Sequence, residues 1–408
     1  MKNVILITLD ATRKDALGCY GNAKNLTPFI DSMQNQSIIF TKGQAIGPYT
    51  QAAFPGILTS SYYLEYGKPA GLSPQRTLVS EVLQKSGITT AAFHSNPFIT
   101  EDLGWNRGWD VFYDSMDEEE EPELAYMRGN VINDRVQNWL KSYADSGDYN
   151  RFFLWLHYMD AHEPYMPSRQ YIEIVDPSLD ILPHEMNSLF QALLKRDVPD
   201  LEKVALLRRL YDVHVREVDT YVQEFCDYLK KLGILEDTTI IITSDHGDEF
   251  NEHGGLSHDD KMYSELIDIP LLIYEPSRTR AEICDNPVSS IDIPPTITYL
   301  FGLNPPPAFE GTSLLPVVDY PNKGAFGEAV YQRSPHRGDY ERGPDMNQDI
   351  YYYRENDLKV IYRANLDSWE MYDLKEDPKE SNNLIAESPH AEALKSRLMP
   401  RVRRWQKK

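Results

Sequence analysis

The sequence predicts an α/β protein: a three-layer body in which helices cover both faces of a mainly parallel sheet, followed by a small α+β subdomain. Three observations predict it. Short apolar runs of strand length alternate with amphipathic stretches up to about residue 305. Beyond that point the texture changes to a proline-rich stretch and then to closely spaced aromatic runs. The chain is also long enough, at 408 residues with 41% hydrophobic and 25% charged residues, to bury a large core, which excludes global disorder and a small stapled scaffold.

Five runs read as strands: Val4 to Leu9, Thr89 to Phe93, Phe152 to Leu156, Thr239 to Thr243 and Pro270 to Ile273. Leu78 to Lys85, Val131 to Tyr143 and Leu201 to Leu232 carry apolar residues at helical spacing. The acidic run Asp117 to Glu121 reads as a solvated loop. Pro164 to Pro199 is poor in strand signals and reads as a mobile lid or an ordinary long excursion. In the tail, Tyr351 to Tyr353, Leu358 to Tyr362 and Trp369 to Leu374 read as antiparallel strands before a last helix, Pro389 to Trp405. The division is therefore 1–305 for the catalytic body and 306–408 for the subdomain.

Charge narrows the partners. Lysine and arginine number 41 against 63 aspartates and glutamates, a net charge of −22, so the averaged field repels nucleic acid and anionic lipid. A small anionic ester remains an acceptable substrate because a bound divalent cation reverses the field locally. Cys19, Cys226 and Cys284 match no metal or disulfide spacing. The start, MKNVILITLD, reads as a buried strand and not as a leader, and no run of apolar residues has membrane-spanning length. These features predict a cytoplasmic protein without a membrane span; its oligomeric state is not legible.

Strand ends carry the chemistry. Asp10 ends the first strand, and Thr239 to Thr243 delivers adjacent Asp245 and His246 onto a turn. Two carboxylates and an imidazole suit one divalent cation, and a helix cap and a satisfied polar turn are the structural alternatives. In GPYTQAAFPGILTS, Thr50 opens a helix-like segment, where a hydroxyl serves either as a cap or as a nucleophile. HYMDAHEPYMP brings His157, Asp160 and His162 onto one turn, and His253 and His258 follow His246 on its own loop. Positioned imidazoles there would protonate a leaving group or hold charged oxygens. In open α/β sheets such strand ends share one crevice.

Taken in order, these segments resemble the sulfatase family of the alkaline phosphatase superfamily, over residues 4 to about 385. LITLDATRKDALGCYGN resembles the family's opening, NLTPFID its second segment and SDHGDEFNEHG its metal loop, with YDVHVREVD, SSIDIPPTI and WEMYDLKEDPKESNNL as later landmarks. The resemblance implies an alkaline phosphatase-like body, metal ligands Asp10, Asp245, His246 and Thr50, and Thr50 at the nucleophile position. It implies catalytic roles for Thr50, His162 and His258, and substrate contacts at Asn96, Arg13 and His253.

The departures carry as much information. Sulfatases hold a Cys or Ser, converted to formylglycine, where this chain has Thr50 in Thr50-Gln51-Ala52-Ala53-Phe54. Ala11 stands at the second family aspartate, Phe54 at the maturation arginine, and Ser95 beside Asn96 at a family lysine. Thr50 with one aspartate, an Asp-His pair and a downstream histidine is the arrangement of lipoteichoic-acid synthases, phosphoethanolamine transferases and nucleotide pyrophosphatases of the same superfamily. No clear second metal set accompanies it. The expectation is thus a metal-dependent hydrolase or transferase that cleaves phosphate mono- or diesters through a Thr50 covalent intermediate. One ion is expected, Mn²⁺ or Zn²⁺ ahead of Ca²⁺ or Mg²⁺ because imidazole suits softer cations. Sulfate ester hydrolysis without formylglycine is the alternative, and a non-catalytic metal-binding relic is the second.

Overall fold

The computed structural model describes residues 3–66, 71–115, 124, 126–145, 151–194, 200–258, 261–329 and 349–407; the acidic run Asp117 to Glu121 lies outside them. Strands β1 (Asn3–Leu9), β2 (Ser37–Gln44), β3 (Thr89–Phe93), β4 (Val111–Tyr113), β5 (Phe152–Tyr158) and β6 (Thr238–Thr243) belong to the central sheet. So do β9 (Leu271–Tyr274) and β10 (Glu282–Ser289), while β7 (Glu249–Phe250) and β8 (Leu256–Ser257) form a separate short hairpin. The order is β10-β2-β9-β6-β1-β5-β3-β4, and β9 alone runs against its neighbours. The sheet is mixed and mostly parallel, in keeping with the mainly parallel sheet that the sequence predicts.

β1, β5 and β6 occupy the middle of the sheet because they are buried on both faces, as parallel strands covered by helices must be. Their register is what positions the site. Thr8 lies opposite both His157 and Thr243, and Leu9 opposite Tyr158, so the three strands release their chains at one level. The residues just beyond, Asp10, Met159 to His162 and Ser244 to His246, are thereby delivered side by side.

The 31-residue helix Leu201–Lys231 braces this end of the sheet. The side chain of Asp200 caps it by accepting the Lys203 N–H at 3.4 Å, and Val204, Leu207, Tyr211, Val215, Val218, Val222, Phe225 and Leu229 place one apolar stripe against the core. Pro164 to Pro199 is a packed excursion and no lid over its described part. It forms the helices Arg169–Val175 and Pro183–Leu194, and Tyr165, Tyr171, Ile172, Met186 and Phe190 are buried in the same core as the long helix.

After the body, β11 (Ala325–Ala329), β12 (Ile350–Glu355), β13 (Leu358–Arg363) and β14 (Ser368–Asp373) make an antiparallel four-stranded sheet in sequence order. The helix Ala391–Trp405 covers one face through Leu394, Leu398, Val402 and Trp405. Phe309, Leu314 and Tyr320, which precede β11, still pack into the core of the body. The two parts are joined by directed polar contacts: Tyr352 Oη donates to Ala45 O at 2.7 Å, and Lys14 and Arg354 both pair with Asp268, at 2.6 and 3.1 Å. Lys359 and Glu380 form a 2.6 Å ion pair with both side chains fully buried.

A buried pair costs desolvation whether or not it adds stability, but losing one partner leaves a naked charge in the interior. Lys359→Met should therefore lower unfolding free energy by about 3–5 kcal/mol, and adding Glu380→Gln should recover most of the loss. Denaturant midpoints of the two variants check this; an unchanged midpoint for Lys359→Met would refute it.

Candidate metal centre and active site

Asp10 leaves β1 with its backbone N–H bonded to Tyr158 O at 2.9 Å, which fixes the chain at the sheet edge. Ala11 follows in the left-handed region, at φ 52, a conformation that costs a non-glycine residue about 1–2 kcal/mol. The turn aims the Ala11 N–H at Asp245 Oδ1, 3.2 Å away. A second amide, that of His246, donates to the same oxygen at 2.9 Å. Asp245 Oδ1 is thus occupied, and Oδ2 accepts the Thr50 hydroxyl at 3.3 Å.

Thr50 is the first residue of the helix Thr50–Thr59, with Tyr49 in the capping position. Its hydroxyl bonds across the crevice to Asp245 and not to its own helix, which removes the capping alternative. His246 donates from Nδ1 to Gly247 O at 3.0 Å, so Nε2 carries the lone pair. That nitrogen lies 3.4 Å from Asp245 Oδ2 and 3.8 Å from Asp10 Oδ1.

Two of these buried atoms, Asp10 Oδ1 and His246 Nε2, accept no hydrogen bond within the protein. Orphaned buried acceptors are costly unless something cationic satisfies them. Separations of 3.3 to 3.8 Å match ligand atoms around an ion bonded at about 2.0–2.3 Å. Asp10, Asp245, His246 and Thr50 therefore fit one divalent cation. The charges agree. Burial works against ionising Asp10, but His162, His157 and His246 outweigh it and hold the carboxyl well below its ordinary range. Asp245 is pushed upward by burial and then by Asp10. Two carboxylates at this spacing call for positive charge, which a cation supplies.

A second cluster, His246, Asp248 and His258, adjoins the first. Its carboxylate is already satisfied: Asp248 Oδ1 meets His258 Nδ1 at 2.9 Å and Oδ2 accepts Tyr165 Oη at 2.7 Å. Lacking orphaned oxygens, this group is built as an imidazole holder. The His258 ring lies 4.4 Å from that of His246 and 5.0 Å from that of His162. His162 is oriented by its Nδ1 bond to Glu163 O at 2.8 Å. Burial opposes its charge, yet Asp10, Glu163 and Asp248 together push it up to about 9.

The structure thus brings Asp10, Thr50, Asp245, His246, His162 and His258 into one buried crevice. The other three site residues read from the sequence are engaged elsewhere. Asn96 donates to Asp10 Oδ2 at 3.0 Å and accepts Phe98 N–H at 2.9 Å, behind the ligand. Arg13 spends its guanidinium on Asp15, Glu252 and the carbonyl of Asp248, which braces the metal loop. His253 bonds Glu265 at 2.5 Å and Glu380 O at 3.4 Å while stacking on Tyr263, so both its nitrogens face protein. Asp248, Tyr165 and Thr8 were not singled out in the sequence. Only Asp248, two residues past His246, carries a legible signal.

The chain matches known families along most of its length. The sulfatase family profile covers residues 2–303, and the profile of the N-sulphoglucosamine sulphohydrolase C-terminal region covers residues 251–408. An N-acetylglucosamine-6-O-sulfatase of Bacteroides thetaiotaomicron is 24% identical over 96% of this chain and 84% of the relative. The multifunctional alkaline phosphatase superfamily protein PehA of Trinickia caryophylli is 25% identical over 61% of this chain and 54% of that protein. Among solved structures, the protein BT4656 in complex with D-glucosamine-2-N,6-O-disulfate superposes with a TM-score of 0.78 at 22% identity, covering 100% of this chain and 97% of its own. The phosphonate monoester hydrolase of Agrobacterium radiobacter superposes with a TM-score of 0.77 at 20% identity, covering 100% and 95%.

The turn that carries His162 stores a pH dependence. Asp160 accepts the Gly129 N–H at 2.9 Å, and burial, then Glu217, raises it from 3.8 to about 7. Between these values the folded chain keeps a proton that the unfolded chain has released, so stability falls as pH rises, by up to about 1.4 kcal/mol per pH unit. In the metal-free protein the loss of Tm between pH 5 and pH 8 should shrink in Asp160→Asn. An equal loss in both proteins would show that Asp160 does not titrate in this range.

Proposed function

The chain belongs to the sulfatase family and is an ester hydrolase of that kind; from this premise we propose that it cleaves a phosphorus ester, a phosphodiester or phosphonate monoester, through a covalent ester on Thr50. The Thr50 hydroxyl, 3.3 Å from Asp245 Oδ2 in the donor set, is the observation that carries the proposal. A threonine carbon bears one hydroxyl, so an ester formed there is resolved only by attack at phosphorus or sulfur. Phosphoryl and phosphonyl threonine esters open by that route more readily than a sulfuryl ester, and formylglycine cannot be made from Thr50.

Asp10, Asp245, His246 and Thr50 would hold the cation, which when bound lowers the pKa of a hydroxyl and neutralises charge on a transferring group. The identity of the ion belongs to the proposal, with Mn²⁺ or Zn²⁺ ahead of Ca²⁺. The residues supply the rest. Thr50 Oγ1 lies 3.3 Å from Asp245 Oδ2, which orients the hydroxyl and accepts its hydrogen. Attack by Oγ1 in line with the ester oxygen forms the threonine ester and breaks the bond to the leaving alcohol, whose oxygen takes a proton from His162 or His258. Water then attacks the same centre from the vacated side and gives its proton to the histidine that protonated the alcohol, while Oγ1 leaves and regains its proton from Asp245. Tyr165 and Asp248 hold His258 in place for both steps.

Sulfate ester hydrolysis is the second reading, and the names of the relatives weigh toward it more heavily than toward phosphorus. An N-acetylglucosamine-6-O-sulfatase and a structure holding a disulfated glucosamine both cover nearly the whole chain. Under that reading the substrate is a small sulfated amino sugar. The complete donor set argues against a retired, non-catalytic relic.

Thr50→Ala should lower turnover by about three orders of magnitude or more, while a divalent ion still stabilises the protein against heat through Asp10, Asp245 and His246. The panel to assay is bis-nitrophenyl phosphate, nitrophenyl phenylphosphonate, nitrophenyl phosphate and nitrophenyl sulfate, each with Mn²⁺, Zn²⁺, Mg²⁺ or Ca²⁺. Activity on the first two substrates supports the proposal; turnover of the sulfate alone replaces it with the second reading.

A further inference from the structure

Both carboxylates of the metal centre are built asymmetrically. Asp245 has one oxygen covered by the Ala11 and His246 amides and the other facing the centre. Asp10 repeats the arrangement with side chains: Asn96 Nδ2 and His157 Nε2 each lie 3.0 Å from Oδ2, and Oδ1 accepts nothing. We propose that Asn96 and His157 form a donor clamp that restricts Asp10 to one coordinating oxygen and thereby biases the centre toward a small cation of low coordination number over Ca²⁺. The inference rests on the divalent site of the proposed function and adds what selects the ion.

The direction of every bond in the clamp follows from groups that act only one way. Trp155 Nε1–H can only donate, and it does so to Thr8 Oγ1 at 2.9 Å. Thr8 then sends its own proton toward its nearest acceptor, His157 Nδ1 at 2.8 Å, ahead of Leu156 O at 3.3 Å. That leaves the imidazole proton on Nε2, facing Asp10. Asn96 is oriented equally firmly, since its carbonyl oxygen is committed to Phe98 N–H at 2.9 Å, which turns the amide nitrogen to the carboxylate. Phe54 meets the His157 ring edge-on at 5.1 Å and Trp155 stacks on it at 5.9 Å, so the ring plane is fixed from two sides.

Ca²⁺ takes about six to eight oxygens and often both oxygens of a carboxylate. A centre with two single-oxygen carboxylates, one imidazole and one hydroxyl offers too few. The same four donors complete a tetrahedral shell for Zn²⁺ or serve Mn²⁺ with added water.

The test compares dissociation constants of Zn²⁺, Mn²⁺ and Ca²⁺, measured by competition with a chelating dye on the metal-free full chain. The proteins are the unmutated chain, Asn96→Ala, His157→Leu and His157→Gln, the last of which keeps a donor within reach of Asp10. Loss of a donor should weaken Zn²⁺ and Mn²⁺ by about 10- to 100-fold and Ca²⁺ by about 3-fold or less, narrowing the preference. His157→Gln should stay within about 3-fold of the unmutated chain for all three ions. Metal-free Tm reports folding, and Asn96→Ala carries the test alone if His157→Leu does not fold. Folded variants with unchanged affinities, or a Gln variant as weak as Leu, would overturn the clamp while leaving the metal centre standing. Failure of the unmutated chain to bind any of the three ions would overturn both.

Discussion

The structure depends on three buried parallel strands that end at the same level. In-register pairing of β1 with β5 and β6 brings Asp10 and Asp245 together in the interior, each side chain fully buried. Desolvating two carboxylates beside each other is strongly unfavourable in isolation. The surroundings offset this with donors directed at one oxygen of each carboxylate, histidines around both, and two acceptors left for a cation. The strain at Ala11 belongs to the same arrangement, because only that turn brings its amide to Asp245. Catalytic chemistry here is a consequence of where the sheet puts charge.

Much of this was legible in the residues, and for identifiable reasons. NVILITL and TTIIIT are rich in apolar and β-branched residues, the pattern of a strand buried on both faces; Asp10 follows the first at once, and the Asp245-His246 pair follows the second after Ser244. The 31-residue helix announced itself through its apolar spacing. Strands β2 and β10 did not, since SIIFTKGQ and EICDNPVS mix apolar and polar residues and pair with each other near the sheet edge. The direction of β9 was equally invisible, because a run of four apolar residues carries no sign of polarity along the chain. At the site, residue type disclosed which atoms could meet a cation but not what stood behind them. Arg13 and His253 look like substrate contacts in one dimension, and only the fold reveals the acids at 2.6 and 2.5 Å that occupy them.

The positions at which the sequence resemblance marks departures from the family are coupled in space. Phe54, at the place of the maturation arginine, packs on His157. Asn96, beside the place of a lysine, reaches Asp10 next to that same imidazole. Ala11, in place of a second aspartate, gives its amide to Asp245. Independent decay of an abandoned site would leave cavities and unpaired charges scattered around it. Here the substituted side chains pack and bond around one shared centre, so the changes read as a single remodelling of the environment of two carboxylates.

That remodelling also bears on which ester is cleaved. By the resemblance, Ala11 stands where an acidic ligand would add negative charge facing the substrate, while Phe54 and Ser95 stand where two basic residues would add positive charge. The changes leave the centre one positive charge poorer, and that difference bears alike on a singly charged ester whether its central atom is phosphorus or sulfur. Charge alone therefore discriminates poorly between the two, and the nucleophile has to. A threonine oxygen held 3.3 Å from a carboxylate must be both attacking group and leaving group within one cycle. Under the proposed route the second role is easier at phosphorus, where water would displace the threonine oxygen from the opposite face and a cation held by Asp10, Asp245 and His246 would neutralise its charge, than at a sulfuryl centre.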